Sequence, residues 1–228
     1  MGKNILITGC SSGLGLALTS FYLQKGFKVY GISRNKPKIQ NINFIHISFD
    51  LSRISNIKEI LSPIIQDISQ IETVFLNAGM LGKIKILEEL STSEMQEVYE
   101  LNVYANKELL DILKNIKVKN ILVVSSGASK TGYKGWGSYS LSKAGVNMLI
   151  NLYSNEMPNT KIIALAPGVI KTPMTDYIRF EIDENTFKLV KSKVQKNIKQ
   201  NAYVENVKVK RNLPDTITIE IEERTPTY

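Results

Sequence analysis

The chain has 228 residues, 43% hydrophobic and 22% charged, with a formal net charge of +8. Those are globular proportions, enough for one good-sized domain or for one domain with a small appendage. No apolar run approaches a membrane span, the opening "MGKNILITG" lacks the features of a signal peptide, and the single cysteine, Cys10, excludes an internal disulfide. A cytoplasmic protein is expected. The lysines are scattered, with no basic arm interleaved with aromatics, so no nucleic-acid or membrane partner is expected. A basic chain also attracts a phosphorylated ligand.

In chain order, a β-branched run over residues 4–8 reads as the first strand. The turn "TGCSSGLGLAL" follows, then a helix over residues 14–25. Strands are expected at 28–33 and 44–48, a helix at 54–68, a strand at 73–77, a helix at 93–114, a strand at 120–125, a helix at 138–156 and a strand at 161–166. Strand and helix in alternation argue an α/β fold, a parallel sheet covered on both faces. Right-handed crossovers make it a doubly wound, Rossmann-type sheet.

In the turn, Gly9 suits the tight bend, Gly13 lets the backbone approach a pyrophosphate, and Gly15 lets helix and strand pack closely. The helix N-terminus then offers free N–H groups to phosphate. An NAD site expects an acidic residue at the end of the second strand, on the ribose hydroxyl. Here that end reads Ser33 and Arg34. An arginine pairs with a 2′-phosphate, so the expected cofactor is NADP(H).

Tyr139 and Lys143 lie one helical turn apart among small residues. An ammonium beside a phenol stabilises phenolate and lowers its pKa, which would make Tyr139 a general acid for carbonyl reduction and a base in reverse. Ser125 and Ser126 emerge at the carboxyl edge of the sheet, where open α/β sheets bind ligands. "NAG" at 77–79 and "PGVIKTPM" at 167–174 leave the same edge.

With "TGCSSGLG", "NAG", "YSLSK" and "PGVIKT" in this order, and Ser126 placed 13 residues before Tyr139, the sequence resembles the short-chain dehydrogenase/reductase family over about residues 1–180. The resemblance implies an oxidoreductase acting on a small carbonyl or alcohol substrate, with no metal. It implies Tyr139 as proton donor, Lys143 on the nicotinamide ribose, Ser126 on the substrate oxygen and Asn102 in support of a proton relay. It places Asp50 and Leu51 beside the adenine, Asn77, Ala78 and Gly79 along the cofactor cleft, and Thr172 on the carboxamide. Ser11, Ser12 and Leu14 of the glycine turn, and Pro167, Gly168 and Val169 of the loop after the sixth strand, complete the cofactor set. Ser33–Arg34 matches the NADP-preferring members. Oligomeric state stays open between a homodimer and a tetramer.

His46 is read as a strand residue and Cys10 as a small filler. Trp136, close before Tyr139, is read either as a wall of the substrate pocket or as simple packing. From about residue 184 the pattern changes to a lysine-rich helix and two alternating strands joined at "NLPDT". That segment resembles the second half of the POTRA domain in the FtsQ/DivIB cell-division proteins. Two parts are therefore expected: an NADP-binding body over 1–182, lacking the family's last helix and strand, and a partial POTRA-like segment over 183–228. A non-catalytic fusion that binds NADP(H) and carries an interaction segment is the alternative reading.

Overall fold

The computed structural model describes residues 4–181, 204–212 and 216–223. By internal contacts the chain divides into two compact units, residues 1–174 and 175–228.

The first unit is built on a six-stranded parallel sheet: β1 (Asn4–Thr8), β2 (Lys28–Ser33), β3 (Phe44–Ser48), β4 (Ile71–Leu76), β5 (Val118–Val124) and β6 (Lys161–Leu165). Their spatial order is β3-β2-β1-β4-β5-β6. The order reverses between β1 and β4, which opens a crevice beyond their carboxyl ends. The connections carry α1 (Gly13–Gln24), α2 (Ile57–Gln66), α3 (Thr92–Tyr99), α4 (Ala105–Leu113) and α5 (Gly137–Glu156), and α6 (Pro173–Glu181) follows β6.

Alternation along the strands feeds two cores. Ile5 and Ile7 of β1 join Val29, Phe75 and Leu23 of α1 on one face. Leu6 points the other way, into a larger cluster with Leu61 of α2, Leu109 of α4 and Val146 of α5. Both faces of the inner strands are thus buried, as parallel sheets require. At the β6 edge, Ile163 and Leu165 remain 38% and 42% exposed.

Strands β1, β2 and β3 fall where the sequence places them, and β4 and β5 each begin two residues early because Ile71 pairs with Val118. The single helix expected over 93–114 runs continuously through α3 and α4, with a π-helical turn, Glu100–Tyr104, between them. Such turns gather at functional sites.

In the second unit, β7 (Val204–Asn212) and β8 (Thr216–Glu223) pair antiparallel, as expected of the tail. The lysine-rich helix expected before them lies outside the described residues. No described helix is long and apolar enough to cross a membrane.

Candidate active site

The loops at the carboxyl edge of the sheet are tied into one assembly. Gly9 and Gly13 adopt φ of +68° and +50°, a region that favours glycine. A Cβ on Gly15 would collide with the Gly9 carbonyl oxygen, so α1 can pack against the turn only without a side chain there. Asn77 locks this arrangement by donating Nδ2 to the Thr8 carbonyl at 3.0 Å. Thr8 Oγ1 in turn accepts the backbone N–H groups of Asn77 and Ala78 at 2.9 and 3.0 Å. From the other side, Thr172 Cγ2 would lie 3.1 Å from a Cβ on Gly13, so the loop after β6 folds back onto the glycine turn. Within that loop Gly168 is also left-handed and Val169 is exposed. The N-terminus of α1 has no acidic residue in its first turn, and its cap residue Ser12 makes no side-chain bond to the helix. Left-handed glycines, close backbone approach and an uncompensated helix N-terminus suit a dinucleotide pyrophosphate.

At the end of β2 the two expected residues differ. Arg34 is exposed and, with Asp50, Arg53 and Asn56, lines an open cleft of about 500 Å³. Burial pushes the Asp50 carboxyl up, but bonds from Ser52 and the charges of Arg34 and Arg53 bring it below its ordinary value. Leu51 is buried in the core, so only its backbone faces outward contacts. Ser33 is also buried. Its hydroxyl donates to the Asn35 carbonyl at 2.8 Å, and its lone pairs face His46 Nε2 at 3.0 Å and Cys10 Sγ at 3.1 Å. His46 is therefore more than a strand residue: it fixes Ser33. Burial keeps the Cys10 thiol pKa raised, in line with a filler role.

The chemical set sits at the start of α5. Tyr139 and Lys143 are 8% and 3% exposed. The Lys143 ammonium lies 5.6 Å from the Tyr139 ring centroid and donates to the Val124 carbonyl at 2.7 Å. It also lies 3.5 Å from where a Cβ on Gly79 would stand. Burial draws its pKa down to about 8. For Tyr139 the direction is opposite to the sequence expectation. Burial raises its pKa, and a hydrogen bond with Ser126 only partly opposes this. Ser126 accepts the Ala128 N–H at 3.2 Å, which leaves its own hydrogen to donate.

Asn102 stands in the π turn and is fully buried. Its Nδ2 donates to the Met80 carbonyl and to Ser142 Oγ, both at 2.9 Å, and its Oδ1 accepts the Met80 N–H at 2.8 Å. Ser142 continues to the Tyr139 carbonyl at 2.8 Å. Both amide hydrogens of Asn102 are thus spent on holding the loop after β4 against α5. Three residues of this framework are given no role by the sequence: Thr8 and Ser142, which lie inside the glycine-turn and Tyr-Lys motifs, and Asn147, which accepts from Ser125 at 2.7 Å and donates to Ser129 at 2.8 Å. Each has at least one partner far away in the chain.

The family model for short chain dehydrogenases matches residues 3–183. The chain belongs to that family. Members use a nicotinamide cofactor, and the chain is an oxidoreductase of the short-chain dehydrogenase type. A benzil reductase ((S)-benzoin forming) of Bacillus cereus is 34% identical over 94% of this chain and 94% of its own. An uncharacterised oxidoreductase of Saccharomyces cerevisiae is 28% identical over 88% of this chain and 84% of its own. Among solved structures, a short chain dehydrogenase/reductase of Saccharomyces cerevisiae superposes with a TM-score of 0.69 at 29% identity, covering 78% of this chain and 75% of that one. The FtsQ-type POTRA model matches residues 177–224.

Proposed function

We propose that the chain reduces the carbonyl of a small ketone or aldehyde at the expense of NADPH, and runs the reverse reaction on the alcohol. The observation that carries this reading is the buried Tyr139, one turn from the buried Lys143, whose ammonium stands beside Gly79 of the loop after β4.

Ser126 and Tyr139 donate to the substrate oxygen and so polarise the carbonyl. When bound, the reduced nicotinamide supplies the hydride, with its two electrons, to the carbonyl carbon. As negative charge gathers on oxygen, Tyr139 gives up its hydroxyl proton. Because burial raises its pKa, Tyr139 is a neutral phenol at physiological pH, the form that reduction needs. The Lys143 ammonium, still charged at neutral pH with a pKa of about 8, stabilises the phenolate left behind. Asn102 acts as a positioning residue that holds Met80 and the first turn of α5.

NADP(H) rather than NAD(H) follows from Arg34, which offers a planar cation where a carboxylate would repel a phosphate. Gly9, Ser11, Ser12, Gly13, Leu14 and Gly15 cradle the pyrophosphate, and Asn77–Gly79 with Pro167–Thr172 line the rest of the cleft. The test is NADPH oxidation over a panel of carbonyls that includes benzil, acetophenone and butanone. Tyr139→Phe should lower the rate by about 10²–10⁴-fold. Equal rates for the two proteins would exclude Tyr139 as the donor.

The body extends over 1–182 in this reading, and 183–228 form a POTRA-like appendage. The POTRA match and the antiparallel pairing of β7 with β8 support it. The Bacillus cereus alignment, which covers 94% of the chain, reaches into the same tail and favours a divergent reductase C-terminus instead. Limited proteolysis separates the two. A cut near residue 183 that frees a body still binding NADPH supports the appendage, and a body that loses the cofactor refutes it.

A further inference from the structure

Three rings line up at the approach to Tyr139. The Tyr133 and Trp136 rings lie 5.4 Å apart, and Trp136 meets the Tyr139 ring edge-on at 5.9 Å and 78°. This wall is held from behind. Lys85 and Trp136 form a parallel bridge, and the Lys85 N–H donates to the Gly135 carbonyl at 3.2 Å. Gly135 is left-handed, and a Cβ there would press on Ile84 at 2.9 Å. The Lys85 ammonium reaches Glu94 at 2.8 Å, inside the capping box of α3. Leu87 rests on Gly137, where a Cβ would come within 2.6 Å of it.

A wall so fixed still shows apolar surface. Leu87 is 62% exposed, Tyr133 44%, and Trp136 is half-buried. Folding alone gains little by anchoring exposed rings and an exposed leucine around a buried hydroxyl, whereas a ligand gains a prepared apolar surface. For a substrate whose oxygen meets Ser126 and Tyr139, the ring in contact with Tyr139 is a neighbour for one of its substituents. Ring quadrupoles favour offset or edge contact with a further ring, a gain beyond the area buried.

Resting on the reductase reading, we infer that Trp136, flanked by Tyr133 and Leu87, holds an aryl group attached to the reacting carbonyl, so that aryl ketones and aryl diketones are the substrate class. Trp136 is a specificity-determining residue here. It takes no proton and no electron.

Trp136 is the only tryptophan of the chain, so its emission reports on the wall directly. The full chain carrying Tyr139→Phe, which blocks turnover, is titrated with acetophenone or butanone in the presence of NADP⁺. Acetophenone should quench the emission saturably and butanone should not. In the kinetic arm, Trp136→Ala should raise KM for acetophenone about tenfold and change butanone kinetics less than about twofold, while Trp136→Phe restores most of the loss. NADPH affinity, measured on both variants, should stay unchanged and so report an intact body. Equal losses on the two ketones, or no saturable quenching, overturn the inference. Quenching by acetophenone in a protein that reduces no carbonyl would sink the reductase reading and leave the aryl site standing; reduction without quenching would do the reverse.

Discussion

Replacing Lys143 with methionine should make the cofactor-free protein more stable while abolishing turnover. The ammonium is 3% exposed, and its pKa is drawn from 10.5 to about 8 by burial alone. At about 1.4 kcal/mol per tenfold change in proton affinity, holding the charge inside costs about 3 kcal/mol. Against that stand the bond to the Val124 carbonyl, worth about 1 kcal/mol, and the contact with the Tyr139 ring, worth about 0.5 kcal/mol. Methionine fills much of the same volume. The net gain is therefore about 1–2 kcal/mol at pH 7. The pH dependence identifies the cause. Between pH 8 and 10.5 the unfolded chain keeps a proton that the folded one has released, so wild-type stability rises with pH across that window. The advantage of Lys143→Met is full below pH 8, is gone near pH 9, and turns into a deficit of about 1–2 kcal/mol by pH 10.5. Urea unfolding of both proteins at pH 7 and again at about pH 10 measures it. A variant less stable than wild type at pH 7, or a gap that does not change with pH, would refute the idea of a charge buried at a cost.

Arg34→Ala should weaken NADPH binding by about ten- to a hundredfold, the worth of a charge-assisted bond, and leave NADH nearly unaffected; a fluorescence titration showing equal losses removes the 2′-phosphate role. Gly15→Ala drives a methyl into the Gly9 carbonyl and the Asn77 amide, so cofactor binding should vanish and thermal stability should fall by about 1–3 kcal/mol, whereas a variant that still binds NADPH tightly would mean that the turn has another way to relax. Alcohol oxidation needs Tyr139 as phenolate, and burial raises its pKa. Its rate should climb through the alkaline range while carbonyl reduction does not. A pH profile in which oxidation is flat from neutral upward would contradict that direction.

The parts of the fold that the sequence foretold are those that local chemistry decides. Strands β1 to β3 are short β-branched runs between turn residues, and their bounds agree with the pattern. The π turn at Glu100–Tyr104 escaped because it lies within one unbroken helical run, with no glycine or proline to announce it. The site divides along a similar line. Tyr139, Lys143, Ser126 and Arg34 announce themselves because their side chains bear the chemistry and their spacing puts them on known elements. The supporting roles of Thr8, Ser142 and Asn147 do not, because each bonds a group far away in the chain, a relation that exists only after folding.

Spacing also misjudged the sign of the Tyr139 shift, for a physical reason that bears on mechanism. Four residues on a helix bring an ammonium near a phenol, but they say nothing of what solvates either. Here α5 carries both side chains into the interior, and the Lys143 ammonium turns to the Val124 carbonyl. The phenol loses more by burial than the Ser126 bond returns, so it holds its proton more tightly. A donor with a raised pKa is weak in the ground state and gains most from a neighbouring cation once it has given its proton up. The ammonium therefore matters most where negative charge is developing, which is where a catalyst benefits from placing it. On this argument the pair does not prepare a phenolate in advance; it keeps the proton in place until the carbonyl oxygen needs it.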